Sequence, residues 1–105
     1  MKYLSSFRKK FDAGHRYTVD IEWSREGAAV ADLEAWQRTV FAIESLTYEL
    51  ADRSLEKQLG PHHPSVYGIA AFFMERLSLS HPITRVRVHE SGNGIVAIIE
   101  NDTDY

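Results

Sequence analysis

The strictest constraint on the fold sits in one short stretch. Tyr17-Thr18-Val19-Asp20-Ile21-Glu22-Trp23 alternates apolar and polar side chains without a fault. Only a period of two separates these sets, with Tyr17, Val19, Ile21 and Trp23 on one face and Thr18, Asp20 and Glu22 on the other. That is a strand with one face buried and one wet. The preceding segment, Lys2 to Phe11, places Tyr3, Phe7 and Phe11 at odd positions and reads as a second, more polar strand. Asp12-Ala13-Gly14 between them is a turn signal, with Gly14 free to take positive φ. The two strands form a hairpin.

Beyond Ser24 to Ala29, a polar connection containing Gly27, the period changes. Leu33, Trp36, Val40, Ile43, Leu46 and Leu50 recur every three or four residues. They line one face of a helix of about six turns, with Asp32 as its candidate cap. Gly60-Pro61-His62-His63-Pro64 interrupts the chain. Ser65 then caps a shorter helix that turns Val66, Ile69, Ala70, Phe73 and Leu77 inward. His81-Pro82 opens a last hairpin. Ile83 to Glu90 alternates, with Thr84, Val86, Val88 and Glu90 on one face and Ile83, Arg85, Arg87 and His89 on the other. Ser91-Gly92-Asn93-Gly94 is the turn, and Ile95 to Ile99 is a short buried strand. The order β-β-α-α-β-β predicts the α+β class: a four-stranded antiparallel sheet with both helices on one face. Glu90 falls on the valine face, where a bulge or turn at the strand end would redirect it.

The 105 residues read as a single domain, 1–105, too short for two folding units. A chain of this size buries only about two-thirds of its unfolded surface, so assembly into a homo-oligomer would help it. Twelve Lys and Arg against fifteen Asp and Glu leave a net charge of −3, against a nucleic-acid partner. The absence of cysteine removes disulfides, thiolate metal ligands and a cysteine nucleophile together. No apolar stretch approaches the roughly 20 residues needed to cross a bilayer. Met1-Lys2-Tyr3-Leu4-Ser5-Ser6 lacks the apolar run of a secretion signal. A cytoplasmic protein without a membrane partner is expected.

Four stretches resemble the 6-pyruvoyltetrahydropterin synthase and 6-carboxytetrahydropterin synthase family, whose tunnelling fold has the same element order. Phe11-Asp12-Ala13-Gly14-His15-Arg16 looks like that family's F-x-A-A-H-R, and Tyr17 to Ile21 is similar to its second strand. Pro64-Ser65-Val66-Tyr67-Gly68-Ile69-Ala70 followed by Met74-Glu75-Arg76-Leu77 resembles P-T-x-E-N-x-A and the closing D-R-L. Ile83 to Ser91 is close to the R-V-x-V-x-E-T/S strand. The resemblance implies an oligomer in which sheets join edge to edge into a barrel, with sites between subunits. It also implies that Glu90 anchors a pterin-like ligand. A carboxylate accepts two parallel N–H bonds from an amino-pyrimidine edge, strongly and with defined orientation.

The departures concern the chemistry. The family holds zinc with three histidines, and only His15 aligns with any of them. A catalytic zinc wants three protein ligands, so a second subunit would have to supply the others. The catalytic cysteine is absent, Leu50-Ala51-Asp52-Arg53 stands for L-D-H-K/R, and Tyr67-Gly68 replaces Glu-Asn. No metal and no other cofactor is therefore expected.

Each candidate has a plainer reading beside it. His15 is a general base at a pocket mouth, the remnant of a metal site, or an exposed turn histidine. Glu90 is a ligand anchor or a strand-end carboxylate paired with Arg85 or Arg87. His89 sits beside the ligand or points outward. His62 and His63 are metal ligands or members of a solvated loop; adjacent side chains usually diverge. Asp20 and Glu22 are an acid–base pair or the wet face of a strand. Trp36, Phe41, Phe72 and Phe73 are core or subunit contact. Asp52 occupies a family histidine position or joins Arg53 and Glu56 in a helix-end charge cluster.

The expectation is a divergent family member, a metal-independent lyase or cyclase-type enzyme. Its substrate would be a small planar or amide-bearing heterocycle bound between subunits. His15, Tyr17 and Asp52 are the candidate catalytic residues; Glu90, His89 and Tyr67 are the candidate binding residues. The alternative is a non-catalytic binding or structural subunit.

Overall fold

The alternating segments of the first quarter form a long hairpin. In a computed structural model that describes residues 2–26 and 30–101, β1 (Lys2–Asp12) and β2 (Arg16–Glu26) pair antiparallel from Lys2↔Glu26 to Asp12↔Arg16. Gly14 takes φ +86° in the turn, a conformation open to glycine without strain. The chain then runs through α1 (Val30–Leu50), the single-turn α2 (Leu55–Gln58) and α3 (Val66–Ser78) before β3 (Ile83–Glu90) and β4 (Val96–Glu100). The sheet order is β1-β2-β3-β4, antiparallel throughout. α1 packs on β1, and α3 on β3 and β4. The class is α+β, as the pattern predicts, with one short helix more than expected.

The core forms where the two periodicities meet. Val19, Ile21 and Trp23 of β2 and Val86 and Val88 of β3 are buried against Ile43, Leu50, Ile69, Phe73 and Leu77 of the helices. Each such side chain contributes about 1.5–3 kcal/mol of burial. Ser65 caps α3 as expected, accepting from the Gly68 N–H. The five residues expected inward on α3 are all buried.

Three local expectations fail for identifiable reasons. α1 starts at Val30, so Asp32 lies inside its first turn and is not its cap. The apolar stripe of α1 is buried at Ile43, Leu46 and Leu50 but fades toward its start: Trp36 and Val40 are half-buried, and Leu33 is 52% exposed. The third failure is Ile83, which strict alternation places with the arginines. Glu22 pairs with Arg85 but Trp23 with Ile83, so Thr84 is the extra residue of a bulge. The bulge turns Ile83 into the core, while the Thr84 hydroxyl donates to Glu22 O at 3.1 Å.

The register sorts the charges as well. Across the open face, Arg8, Asp20 and Arg87 lie in one row, and Glu22, Arg85 and Glu100 in the next. Asp20 bridges its neighbours, at 2.8 Å from Arg8 Nε and 3.5 Å from Arg87. Asp20 and Glu22 thus stand in a cross-strand charge ladder. Among the described residues, no helix is long and apolar enough to cross a membrane.

Candidate functional site

Both hairpin turns lie at one end of the sheet, because Phe11 pairs with Tyr17 and Tyr17 with Glu90. The Ser91 N–H donates to Arg16 O at 2.9 Å and ties the two turns together. Glu90 is the last residue of β3 and keeps strict alternation, so no bulge turns it away from the helix side. Its side chain is 18% exposed.

Three groups converge on this carboxylate. His15 Nδ1 lies 3.4 Å from Oε1, an ion pair whenever the imidazole is protonated. Asn93 Nδ2 donates to Oε2, and Asn93 Oδ1 in turn accepts from the Ile95 N–H at 2.9 Å, which fixes the amide's orientation. Tyr17 stacks on Phe11 at 5.5 Å and meets the His15 ring edge-on at 6.5 Å. Burial, and then the negative charge of Glu90, hold the Tyr17 hydroxyl above its ordinary value of 10.0. Tyr17 therefore stays a neutral phenol beside an acid and a base.

A carboxylate has about four lone-pair directions. With Asn93 and His15 each taking one, Glu90 still has capacity for two donors on a planar edge. His15, 70% exposed and beside the carboxylate, is in reach of anything so held.

The other candidates lie elsewhere. His89 pairs with Thr18 and Val96, on the face opposite Glu90. Asp52 follows the end of α1 in the left-handed region, φ +57°, and its N–H donates to Asp12 O at 2.6 Å. It lines a shallow groove with Lys9, Asp12 and Tyr48 outside β1, two strands from Glu90, or about 10 Å by strand spacing. Tyr67 is 64% exposed on α3. Beside it, Gly68 has a local reason to be glycine: a Cβ there would sit 1.6 Å from the His63 carbonyl oxygen.

Among the described residues, Glu90 pairs with no arginine. Arg87 reaches Asp20 and Arg85 approaches Glu100 at 3.9 Å, both on the open face. His62 Nε2 meets Glu75 Oε2 at 2.9 Å and pins the loop to α3. Among the described residues no group of three His, Asp or Glu side chains gathers to hold a metal. His15 has Glu90 and Tyr17 as neighbours, so these residues do not fit the zinc site of the resembled family. Phe72 and Phe73 are core, whereas Phe41 is 72% exposed on α1.

Two structural features escape a reading of the sequence. Asn93 was legible only as a turn residue, although its spacing from Glu90 is a signal of a side chain folding back across the turn. The second is a hydrogen bond between Thr39 and His81, at the far end of the sheet. Nothing local marks it, since the partners are 42 residues apart. The chain matches no protein-family model and no curated protein.

Proposed function

We propose that this chain is a divergent tunnelling-fold protein of the 6-pyruvoyltetrahydropterin synthase type. It holds a small planar or amide-bearing heterocycle at Glu90 and moves a proton through His15, in a lyase or cyclase-type step without zinc. The observation that carries the reading is the convergence of His15, Tyr17 and Asn93 on one half-buried carboxylate with acceptor capacity to spare. Glu90 would accept two N–H bonds from the heterocycle's edge. Asn93 keeps the carboxylate in place, the neutral Tyr17 supplies a flat wall, and His15 exchanges the proton.

The walls of such a site call for a second copy. A cleft of about 430 Å³ on the open face is lined by Ser6, Arg8, Asp20, Glu22, Arg85 and Arg87, and Glu90 is not among its walls. Among the described residues, the outer edges of β1 and β4 have no partner strand in the sheet order. Unpaired edges favour addition of another strand. Copies joined at these edges would close the space over Glu90.

Calorimetric titration with pterin, and with guanine as a second amino-pyrimidine edge, tests the reading. The expected result is saturable binding that falls about 10- to 100-fold in Glu90→Gln, the loss of a charge-assisted pair. Glutamine keeps the size of the side chain and its bond to Asn93, so folding should survive. Binding that Glu90→Gln leaves intact, or no binding of either compound, would overturn the proposal. A second reading, a non-catalytic subunit, draws on the exposed Phe41 and Tyr48 of α1. Native mass spectrometry showing a stoichiometric second protein and no retained small molecule would favour it.

A further inference from the structure

The end of the sheet away from Glu90 carries a second recess, better walled than the first. Trp23 closes β2's core face there, the Ser24 N–H donates to Pro82 O at 3.2 Å, and α1 passes over both. The result is a cavity of about 230 Å³ whose walls include Trp23, Trp36, Arg38, Thr39, His81 and Pro82. Two indoles and a proline ring make its walls apolar and flat. Among the described residues, no acidic side chain lines it. Arg38 forms no ion pair among the described residues.

The polar groups are arranged as donors. The Thr39 hydroxyl is buried, 3.2 Å from Ala35 O and 3.0 Å from His81 Nδ1, and it has one proton to give. When that proton goes to His81 Nδ1, the neutral imidazole carries its hydrogen on Nε2 and offers it as a donor. When it goes to Ala35 O, Nδ1 donates to the hydroxyl and Nε2 becomes an acceptor. Turning the hydroxyl rotor, together with a tautomer shift that carries the ring proton from Nδ1 to Nε2, therefore changes His81 Nε2 from acceptor to donor without charging the ring. Burial, and then the Arg38 charge, lower His81's proton affinity, so the apo recess keeps a neutral histidine near pH 7.

Size and charge define the occupant. A dry cavity of about 150 Å³ holds one benzene ring. A recess of about 230 Å³ thus fits a single six-membered ring with one small substituent. An arginine and a histidine donor without a facing acid select an anionic substituent. We propose that this recess binds a small aromatic carboxylate, its ring against Trp23, Trp36 and Pro82 and its carboxylate shared by Arg38 and His81. This site is independent of the one at Glu90.

The molecule supplies its own reporter, because Trp23 and Trp36 are its two tryptophans. Tryptophan fluorescence should respond saturably to benzoate below about 10 mM, a level suited to so small a ligand. The neutral isostere benzamide should bind at least about 10-fold more weakly, for want of the charge. Arg38→Gln should weaken benzoate about 10-fold and leave benzamide unchanged, while Arg38→Lys should fall between. His81→Asn, which retains a partner for Thr39, should also weaken benzoate; a thermal melt of each variant shows that it is folded. Equal responses to benzoate and benzamide, a benzoate response that Arg38→Gln leaves unchanged, or no saturable response would each overturn the proposal.

Discussion

The two ends of the sheet solve the same problem differently. At the turn end, Glu90, His15 and Asn93 bring charge and hydrogen bonding together at a strand terminus, but the elements of one chain do not roof them. At the far end, Thr39, His81 and Arg38 stand in a recess that α1, the α3–β3 connection and two tryptophans already enclose. The first end has chemistry in want of walls; the second has walls with few polar groups. The contrast teaches that a strand terminus gathers polar groups without enclosing them, whereas a recess between helix and sheet draws its walls from several elements of one chain.

The largest test of that contrast is packing. Trp23→Ala empties the floor of the far recess and should cost about 3–5 kcal/mol in urea unfolding. Tyr17→Phe, which removes only a hydroxyl at the turn end, should cost about 1 kcal/mol or less. Equal losses would mean that the two ends are packed alike. Next in size is Gly68→Ala. Its Cβ would collide with the His63 carbonyl, so backbone must move, at about 1–3 kcal/mol in the same assay.

The ends should also part company with pH. His81's affinity for protons is lowered in the folded chain, from an ordinary 6.5, by burial and by Arg38. The unfolded chain therefore takes up the proton first as pH falls below 6.5, and stability drops through that window. His81→Asn should flatten this part of the profile. Tyr17 behaves oppositely: its pKa lies above 10.0 when folded, so the unfolded chain ionises first and stability drops as pH rises past 10.0. Tyr17→Phe should flatten that limb and leave the acid one alone. A profile in which both substitutions act on the same limb would break the comparison.

The smallest expected effect is a gain. Asp52 holds a left-handed φ of +57°, a position that suits glycine after a helix. Asp52→Gly should raise stability by about 0.5–1 kcal/mol in urea melts. A marked loss would instead assign the carboxylate a role that its exposed position does not suggest.

The turn end was largely legible because hairpins are local. Alternation through Tyr17 to Trp23 and Ile83 to Glu90, with a glycine turn after each first strand, places His15, Tyr17 and Glu90 at one end once the strands pair. Ile83 marks the limit of that logic: the bulge at Thr84 reverses its face, and no pattern within the strand announces it. Leu33 marks another, since a helical stripe says which side of α1 is apolar and not how far its neighbours extend.

The residue order alone dictated the two periods, the breaks between them and so the succession of strands and helices, because backbone geometry ties side-chain spacing directly to conformation. It also dictated the cap at Ser65 and the turn at Gly14, where a side chain or its absence acts on its own backbone. The partners of those elements were decided in three dimensions. Which oxygen Asn93 grips, which acid Arg87 meets and that Thr39 finds His81 depend on register and on helix placement. Those are set by the packing of the whole core, where the stabilising area is shared among many side chains and belongs to no short segment.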